Sequence, residues 1–465
     1  MTTATTDRLD RRLLALGSVV VLGTILSILD ATIVNVAINT LATEFGAPIA
    51  TIQWVLTAYL LGFASVIPVA GWATNRFGAK RVWIGSVSVF LAGSALAGVA
   101  WSVGSLIAFR VLQGVGAGLI LPVGQAILAQ AAGPQRMARV LSMIGIPLLM
   151  GSVAGPVIGG LIVTTISWRW IFLVNLPIGA VAVVFAARLL PAGEARPGAR
   201  LDVRGLVLLC AGVTALTYGL SEAGVDGGFG GASTLAWLAA GAALIAGYVA
   251  HAANRKGRAL IDLSLFRQRA FATSAVTNLL IAVALFGMLV LIPLYWQLIR
   301  GQDALATGLL LTPQAIGAGV AMPLAGRITD RAGAGVVVPI GLGLALAGTL
   351  AYTQVTADTS YVLLAAALFT IGLGLGASIM PSMAAAYHGM TRADVPAATS
   401  ALTTVQRLGS SIGTAVLAVV LQRSIGSGAA GFGSTFWVAL ALIAVALVPA
   451  LMLPRLRREQ PAAAA

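Results

Sequence analysis

PVAGWATNRFGA, residues 68–79, returns 255 residues later as PLAGRITDRAGA, residues 323–334, with seven identities in twelve ungapped positions. Pro, Ala, Gly, Thr, Arg, Gly and Ala keep their places, more than an Ala- and Gly-rich chain supplies by chance. The same offset carries the start of the first apolar segment, near residue 15, to another that starts near residue 270. The chain is built twice over, and its composition shows what is duplicated.

Of the 465 residues, 59% are hydrophobic and 9% are charged, with a mean hydropathy of +0.98. These values belong to a polytopic membrane protein. Apolar segments of about 20 residues, enough to cross a hydrocarbon core of about 30 Å, recur between residues 13 and 453. Fourteen are counted, the first over 13–37 and the last over 432–453, leaving no room for a sizeable soluble domain. All are expected to be helices, since a backbone in lipid satisfies its own hydrogen bonds and no alternating barrel pattern is present. The first follows Arg11 and Arg12 without a small-residue cleavage site and is read as a retained span.

The expected fold is therefore all-α, with a six-helix lobe over 1–190, a linker with two extra spans over 191–269, and a second six-helix lobe with a short tail over 270–465. PAGEARPGAR, 191–200, marks the boundary. Two six-helix sets in one orientation form a parallel repeat about the membrane normal, the plan of a two-lobed alternating-access transporter.

Of the 28 Lys and Arg, all but Arg110, Arg169, Arg300, Arg407 and Arg423 fall on one set of span ends. Basic residues mark the cytoplasmic side, so both termini are expected there, in the plasma membrane. The formal charge of +14 then reports topology rather than nucleic-acid binding. The single cysteine, Cys210, lies in an apolar span and has no internal disulfide partner; it is read as a packing residue.

Within ILSILDATIVNVAI, 25–38, Asp30 is a carboxylate in an otherwise hydrocarbon-soluble segment. Counted from Arg12 at 1.5 Å per residue it lies about 27 Å along the helix, in the outer part of the bilayer. There it either meets water at the interface or shares an aqueous cavity with Arg110 of the fourth span, roughly 10 Å below the same surface. In that second arrangement Asp30 is read as the site that binds proton and cationic substrate in turn, with Arg110 as its electrostatic partner; a static ion pair that orders the lobe is the plainer form. The 255-residue offset brings Asp30 onto Leu285, so the second lobe has no matching acid. Glu222 is expected to be solvated at an outer span end, Asp262, Asp330 and Asp394 to lie in loops, and Arg407 to snorkel to the cytoplasmic end. Tyr59, Tyr295 and Gln297, with Trp54 and Trp296, can line a cavity for planar apolar ligands. Trp54 and Trp296 equally fit an interfacial belt. Pro147, Gly151, Gly155, Pro156, Gly159 and Gly160 give the fifth span breaks and small faces, for bending or for ordinary close packing.

Several of these segments resemble a known family. GWATNRFGAKR (71–81) is similar to the loop signature between helices two and three of the major facilitator superfamily, RVLQGVGAGLILP (110–122) to its helix-four motif, and GPVIGG (155–160) with Gly151 to its helix-five antiporter motif. LDATIVNVAI (29–38), WRWIFLVNLPIG (168–179) and IDLSLFRQRAF (261–271) resemble segments of the fourteen-helix drug:proton antiporters of the QacA/EmrB type. The resemblance implies proton-coupled export of amphipathic, often cationic compounds, with no cofactor beyond the proton motive force. It also implies small-molecule substrate, protons and membrane lipids as partners, and a functional monomer. It places a cytoplasmic gate on Gly71, Asn75, Arg76, Gly78, Lys80 and Arg81, with Asp330 and Arg331 in the second copy. Two positions depart from the pattern: Asn75 stands where the family usually has Asp, which puts the charged part of a latch in doubt, and Ser142 replaces a glycine.

Export of a lipid or lipid-like metabolite, or a non-transporting membrane sensor, remain alternatives. No enzyme is expected: neither Lys80 nor Lys256 follows glycine as a phosphate loop requires, GSSIG (409–413) lies in an apolar span without a nucleophile elbow's context, and His251 and His388 lack metal-ligand spacing.

Overall fold

A computed structural model of the chain describes residues 11–132, 136–193, 195, 201–226, 228–255, 259–391 and 393–454. Every regular element among these residues is a helix. The N-terminal set is α1 (Arg11–Val36), α2 (Ile38–Phe45), α3 (Ile49–Val66), α4 (Ala70–Phe77), α5 (Ala79–Gly98), α6 (Val103–Ala132), α7 (Met137–Thr165), α8 (Trp170–Leu173) and α9 (Asn175–Leu189). Then come α10 (Val203–Asp226) and α11 (Ala232–Ala253). The C-terminal set is α12 (Arg269–Leu298), α13 (Ala304–Leu310), α14 (Thr312–Ala332), α15 (Ala334–Thr353), α16 (Tyr361–Ala386), α17 (Val395–Ser424) and α18 (Ala429–Ala450). Thirteen helical stretches among the described residues are long and apolar enough to cross a membrane, and α7, at 29 residues, is a further long helix. The chain is a multi-pass membrane protein.

The repeat is visible in the backbone. α5 and α15 are each 20 residues long and begin at positions related by the 255-residue offset. Each follows a glycine in the positive-φ region that only glycine enters at little cost, Gly78 at 84° and Gly333 at 86°. The preceding segments, read from the sequence as spans over 51–71 and 305–326, were expected to leave the helix at those ends. Instead α3 passes through a 3-10 turn at Ile67–Val69 into α4, and α14 continues past Pro323 to Ala332. Hydropathy falls where the chain leaves lipid, but helical hydrogen bonding does not stop there. Most of the signature read as a loop, and Asp330 with it, is helix.

Packing repeats as well. α1 lies on α6, α7 and α9, α3 on α6, and α5 on α6 and α9; likewise α12 lies on α16, α17 and α18, α14 on α16, and α15 on α16 and α18. Lipid offers no hydrophobic drive between helices, so close approach through small residues holds them. A methyl group added at Gly118 would stand 2.6 Å from Val66 Cγ1, and one at Gly376 would stand 2.6 Å from the Ala318 carbonyl oxygen.

The two sets meet mainly toward their basic ends. Ser400 donates to the carbonyls of Ile67 (2.8 Å) and Pro68 (3.1 Å), a methyl group on Gly71 would stand 2.9 Å from Cα of Ala397, and one on Gly326 would stand 2.8 Å from Cα of Arg139. That end is sealed.

Candidate functional site

Asp30 is fully buried, as is Arg110, and Arg110 Nη1 donates to Asp30 Oδ2 at 2.5 Å. The expectation of an acid at a watery interface, or in an aqueous cavity, is corrected. The pair sits inside the N-terminal set, in this conformation closed to solvent. An isolated charge there costs several kcal/mol, and the surrounding helices supply the compensation. From α6, Gln113 Nε2 donates to Asp30 Oδ1 at 2.8 Å, and from α9, Asn175 Nδ2 donates to the same oxygen at 3.0 Å. From α5, Ser94 Oγ accepts from both amides (2.9 and 3.1 Å) and donates to the Phe172 carbonyl (2.8 Å). Arg110 also donates to Gln113 Oε1 (2.7 Å) and to the Val55 carbonyl (3.2 Å). Its guanidinium carbon lies 4.1 Å from the centre of the Tyr59 ring, whose hydroxyl donates to the Ser27 carbonyl at 3.0 Å.

The site is thus one carboxylate and one guanidinium, net neutral, tied to α1, α5, α6 and α9. Removing either partner would leave the other a buried, uncompensated charge, a loss of about 3–5 kcal/mol for buried pairs. Arg110 Nη2 and Asn175 Oδ1 have no hydrogen-bond partner among the described residues, so the network retains capacity for another polar group.

Gln113, Asn175 and Ser94 were missed in the sequence, although Gln113 and Asn175 fall in quoted motifs. The usable signal was a polar side chain within an apolar span, Gln113 one turn from Arg110. Among the described residues the second set has no buried acid–arginine pair of this kind: aligned on their first residues, α12 places Met288 where α1 has Asp30, and Met288 sits with Leu285 and Ile371 around a small apolar cavity.

The other expected residues divide. Tyr59 belongs to the site. Tyr295 does not: it is buried in the C-terminal set against Tyr352 and Phe432, donating to the Thr356 carbonyl at 2.7 Å. Gln297 is exposed near the end of α12, and Trp296, read as a belt residue, is 1% exposed. Trp54 is exposed and stacks on Tyr218 of α10. Gly155 and Gly159 of the antiporter motif bring α7 against Thr32 and Ile33, just past Asp30, while Gly160 faces Val36 at 3.9 Å. The surroundings of Gly151, Pro156 and Pro147 lie outside the described residues.

At the basic end, Asp330 Oδ1 accepts from the Ala138 backbone N–H at 3.2 Å and Oδ2 lies 3.6 Å from Arg139 Nε. The Asn75 side chain makes no hydrogen bond among the described residues, and Arg76 Nη1 is buried without a partner among them. Lys80 donates to the Ala187 carbonyl at 2.7 Å, a cation on the last turn of α9. Arg81 and Arg331 are exposed. Arg407 does not snorkel: it lies thirteen residues into α17 with its guanidinium 5.3 Å from the Phe63 ring centre. Glu222, expected in solvent, has Oε2 buried with no hydrogen-bond partner among the described residues. His251 ends α11 against Asp202 at 2.8 Å. Burial pushes the Asp202 carboxyl up, but hydrogen bonds from His251 and the Gly205 N–H, with nearby positive charge, outweigh it and hold the group below its ordinary value.

Comparison with known proteins agrees with this architecture. Residues 20–414 match the model of the Major Facilitator Superfamily. The chain is 40% identical over 417 residues, 89% of its length and 77% of the relative's, to a multidrug resistance protein B homolog of Mycobacterium tuberculosis. It is 28% identical to the multidrug transporter protein MdtP of Bacillus subtilis, across 86% of this chain and 74% of that one. In fold it is similar to the proton:xylose symporter XylE, with a TM-score of 0.66, 14% identity and 94% of each chain covered. A membrane-embedded, twice-built helical bundle with this match over most of its length belongs to the Major Facilitator Superfamily of transporters.

Proposed function

We propose that the chain is a proton-coupled antiporter that exports amphipathic compounds by alternating access. In this reading α7 counts as a fourteenth span, residues 1–190 and 270–465 are the two lobes, and 191–269 is the linker with its two extra spans. Both termini face the cytoplasm, so the sealed basic end is cytoplasmic and the conformation faces outward. The relatives named for multidrug resistance and multidrug transport support drug export. Energy comes from the proton motive force, with about 2.3 kcal/mol per proton at 100 mV.

The observation that carries the coupling is the buried Asp30–Arg110 pair with further donors from Gln113 on α6 and Asn175 on α9. A carboxylate this fully paired cannot take a proton without displacing Arg110, so protonation and helix rearrangement become one event. Three donors already fill Asp30 in the sealed state, which leaves recognition of the cargo's charge to other groups.

The test is export of amphipathic dyes of either charge from proteoliposomes under an imposed pH gradient. Asp30→Asn is expected to abolish gradient-driven flux while folded protein is still recovered in detergent. Flux equal to that of the native chain rejects Asp30 as the coupling group.

A further inference from the structure

Arg407 is a second membrane-embedded cation, and it differs from Arg110 in having no anion. It lies on the face of α17 that carries Ser400, seven residues nearer the cytoplasmic end and bonded to Ile67 and Pro68 of the seal. At 1.5 Å per residue the guanidinium's backbone is about 10 Å beyond that seal, toward the middle of the membrane. Its side chain is half-buried, Nε is closed to solvent, and the guanidinium makes no hydrogen bond or ion pair among the described residues. It packs over the half-buried Phe63 ring, which is itself paired with Tyr59 at 6.3 Å between centres.

Guanidinium stays protonated in proteins, so the group cannot neutralise itself as a buried lysine does. Asp30 is matched by Arg110 and Asp330 by Ala138 and Arg139, and Glu222, about 28 Å along α10 against about 18 Å along α17 for Arg407, makes no ion pair with it among the described residues. Arg407 therefore presents an unmatched positive charge at the interface between the two helix sets, beside an aromatic surface.

We propose that Arg407 recognises an anionic group on the cargo: the transporter takes planar aromatic amphipaths bearing a carboxylate or sulfonate, with the acid on Arg407 and the ring against Phe63. This rests on the export reading above but not on its proton coupling. An unmatched guanidinium also rejects cationic analogues, because like charges at low dielectric repel. The fork of Arg accepts a carboxylate in two parallel hydrogen bonds, which a lysine cannot reproduce.

The test is equilibrium binding of 1-naphthoate and 1-naphthylmethylammonium to the purified full chain, without any gradient. The native protein is expected to prefer the carboxylate, Arg407→Gln to reduce that preference about ten-fold or more, and Arg407→Lys to keep part of it. A native chain that binds neither probe, or that prefers the ammonium, overturns the proposal. So does an Arg407→Gln protein that is folded by gel filtration and keeps the native preference. If Arg407→Gln does not fold, Arg407→Lys decides: an unaltered affinity for naphthoate overturns it. Loss of gradient-driven flux in Asp30→Asn bears on coupling alone, so the two readings fail separately.

Discussion

The two copies of the repeated signature dock on the opposite helix set through the same backbone contacts and different chemistry. Gly71 of the first copy meets Pro396 and Ala397 at the start of α17, and Gly326 of the second meets Ala138 and Arg139 at the start of α7. α7 and α17 start at corresponding points, so Ala138 answers to Pro396 and Arg139 to Ala397. In the second copy Asp330 accepts the Ala138 N–H and faces the Arg139 guanidinium. In the first copy the matching residue is Asn75, the matching backbone donor belongs to a proline, which has no N–H, and the matching arginine is an alanine. A carboxylate at 75 would find neither of those partners. Asn75 thus belongs to a consistent set of differences, and the comparison separates a shape that both interfaces share from a charge that one of them has.

That separation can be attacked directly, using maleimide labelling of a cysteine at Thr74 or Thr329, corresponding buried positions, in a Cys210→Ala background. The largest effect is expected from shape. Gly71→Leu and Gly326→Leu each push a side chain into opposing backbone and should open the sealed end by about 3 kcal/mol, to similar extents; a large inequality would break the claim of shared geometry. Next comes Asp330→Asn, which should accelerate labelling by about ten-fold for a loss near 1.4 kcal/mol at a helix terminus. The triple change Asn75→Asp, Pro396→Ala and Ala397→Arg rebuilds the charged latch on the other side and should slow labelling by up to about five-fold, near 1 kcal/mol. Asn75→Asp alone should be smallest, within about 0.5 kcal/mol. If the single change stabilises the seal as much as the triple, the missing donors are not the reason for the asparagine.

Much of this was legible beforehand, because the membrane forces it. An all-helical bundle of many apolar spans follows from a backbone that must bond to itself in lipid, and the repeat is written in the sequence itself. Asp30 and Arg110 stood out as charges where charge is costly. Their three neutral partners did not, since Ser94, Gln113 and Asn175 are ordinary in composition and become a site only when four helices bring them together. The errors over side chains had one cause: depth along a helix says nothing of which side faces its neighbours. Tyr295 and Trp296 have the right depth for a cavity and face their own aromatic core, while Arg407 was read toward water and faces Phe63.

The hydroxyl of Tyr248 on α11 donates to the Ile261 carbonyl at 2.8 Å and accepts from the Ile261 N–H at 2.7 Å. Leu209, Val213 and Tyr248 share one continuous core with Phe271 and the residues beyond it. Deleting α10 and α11 would therefore strip a wall that α10 builds against α17 of the C-terminal set and α3 of the N-terminal set, and leave apolar side chains of both uncovered. Any such truncation calls for a redesigned surface along α17 and α3, and grafting the pair onto a shorter relative would demand a receiving groove between them.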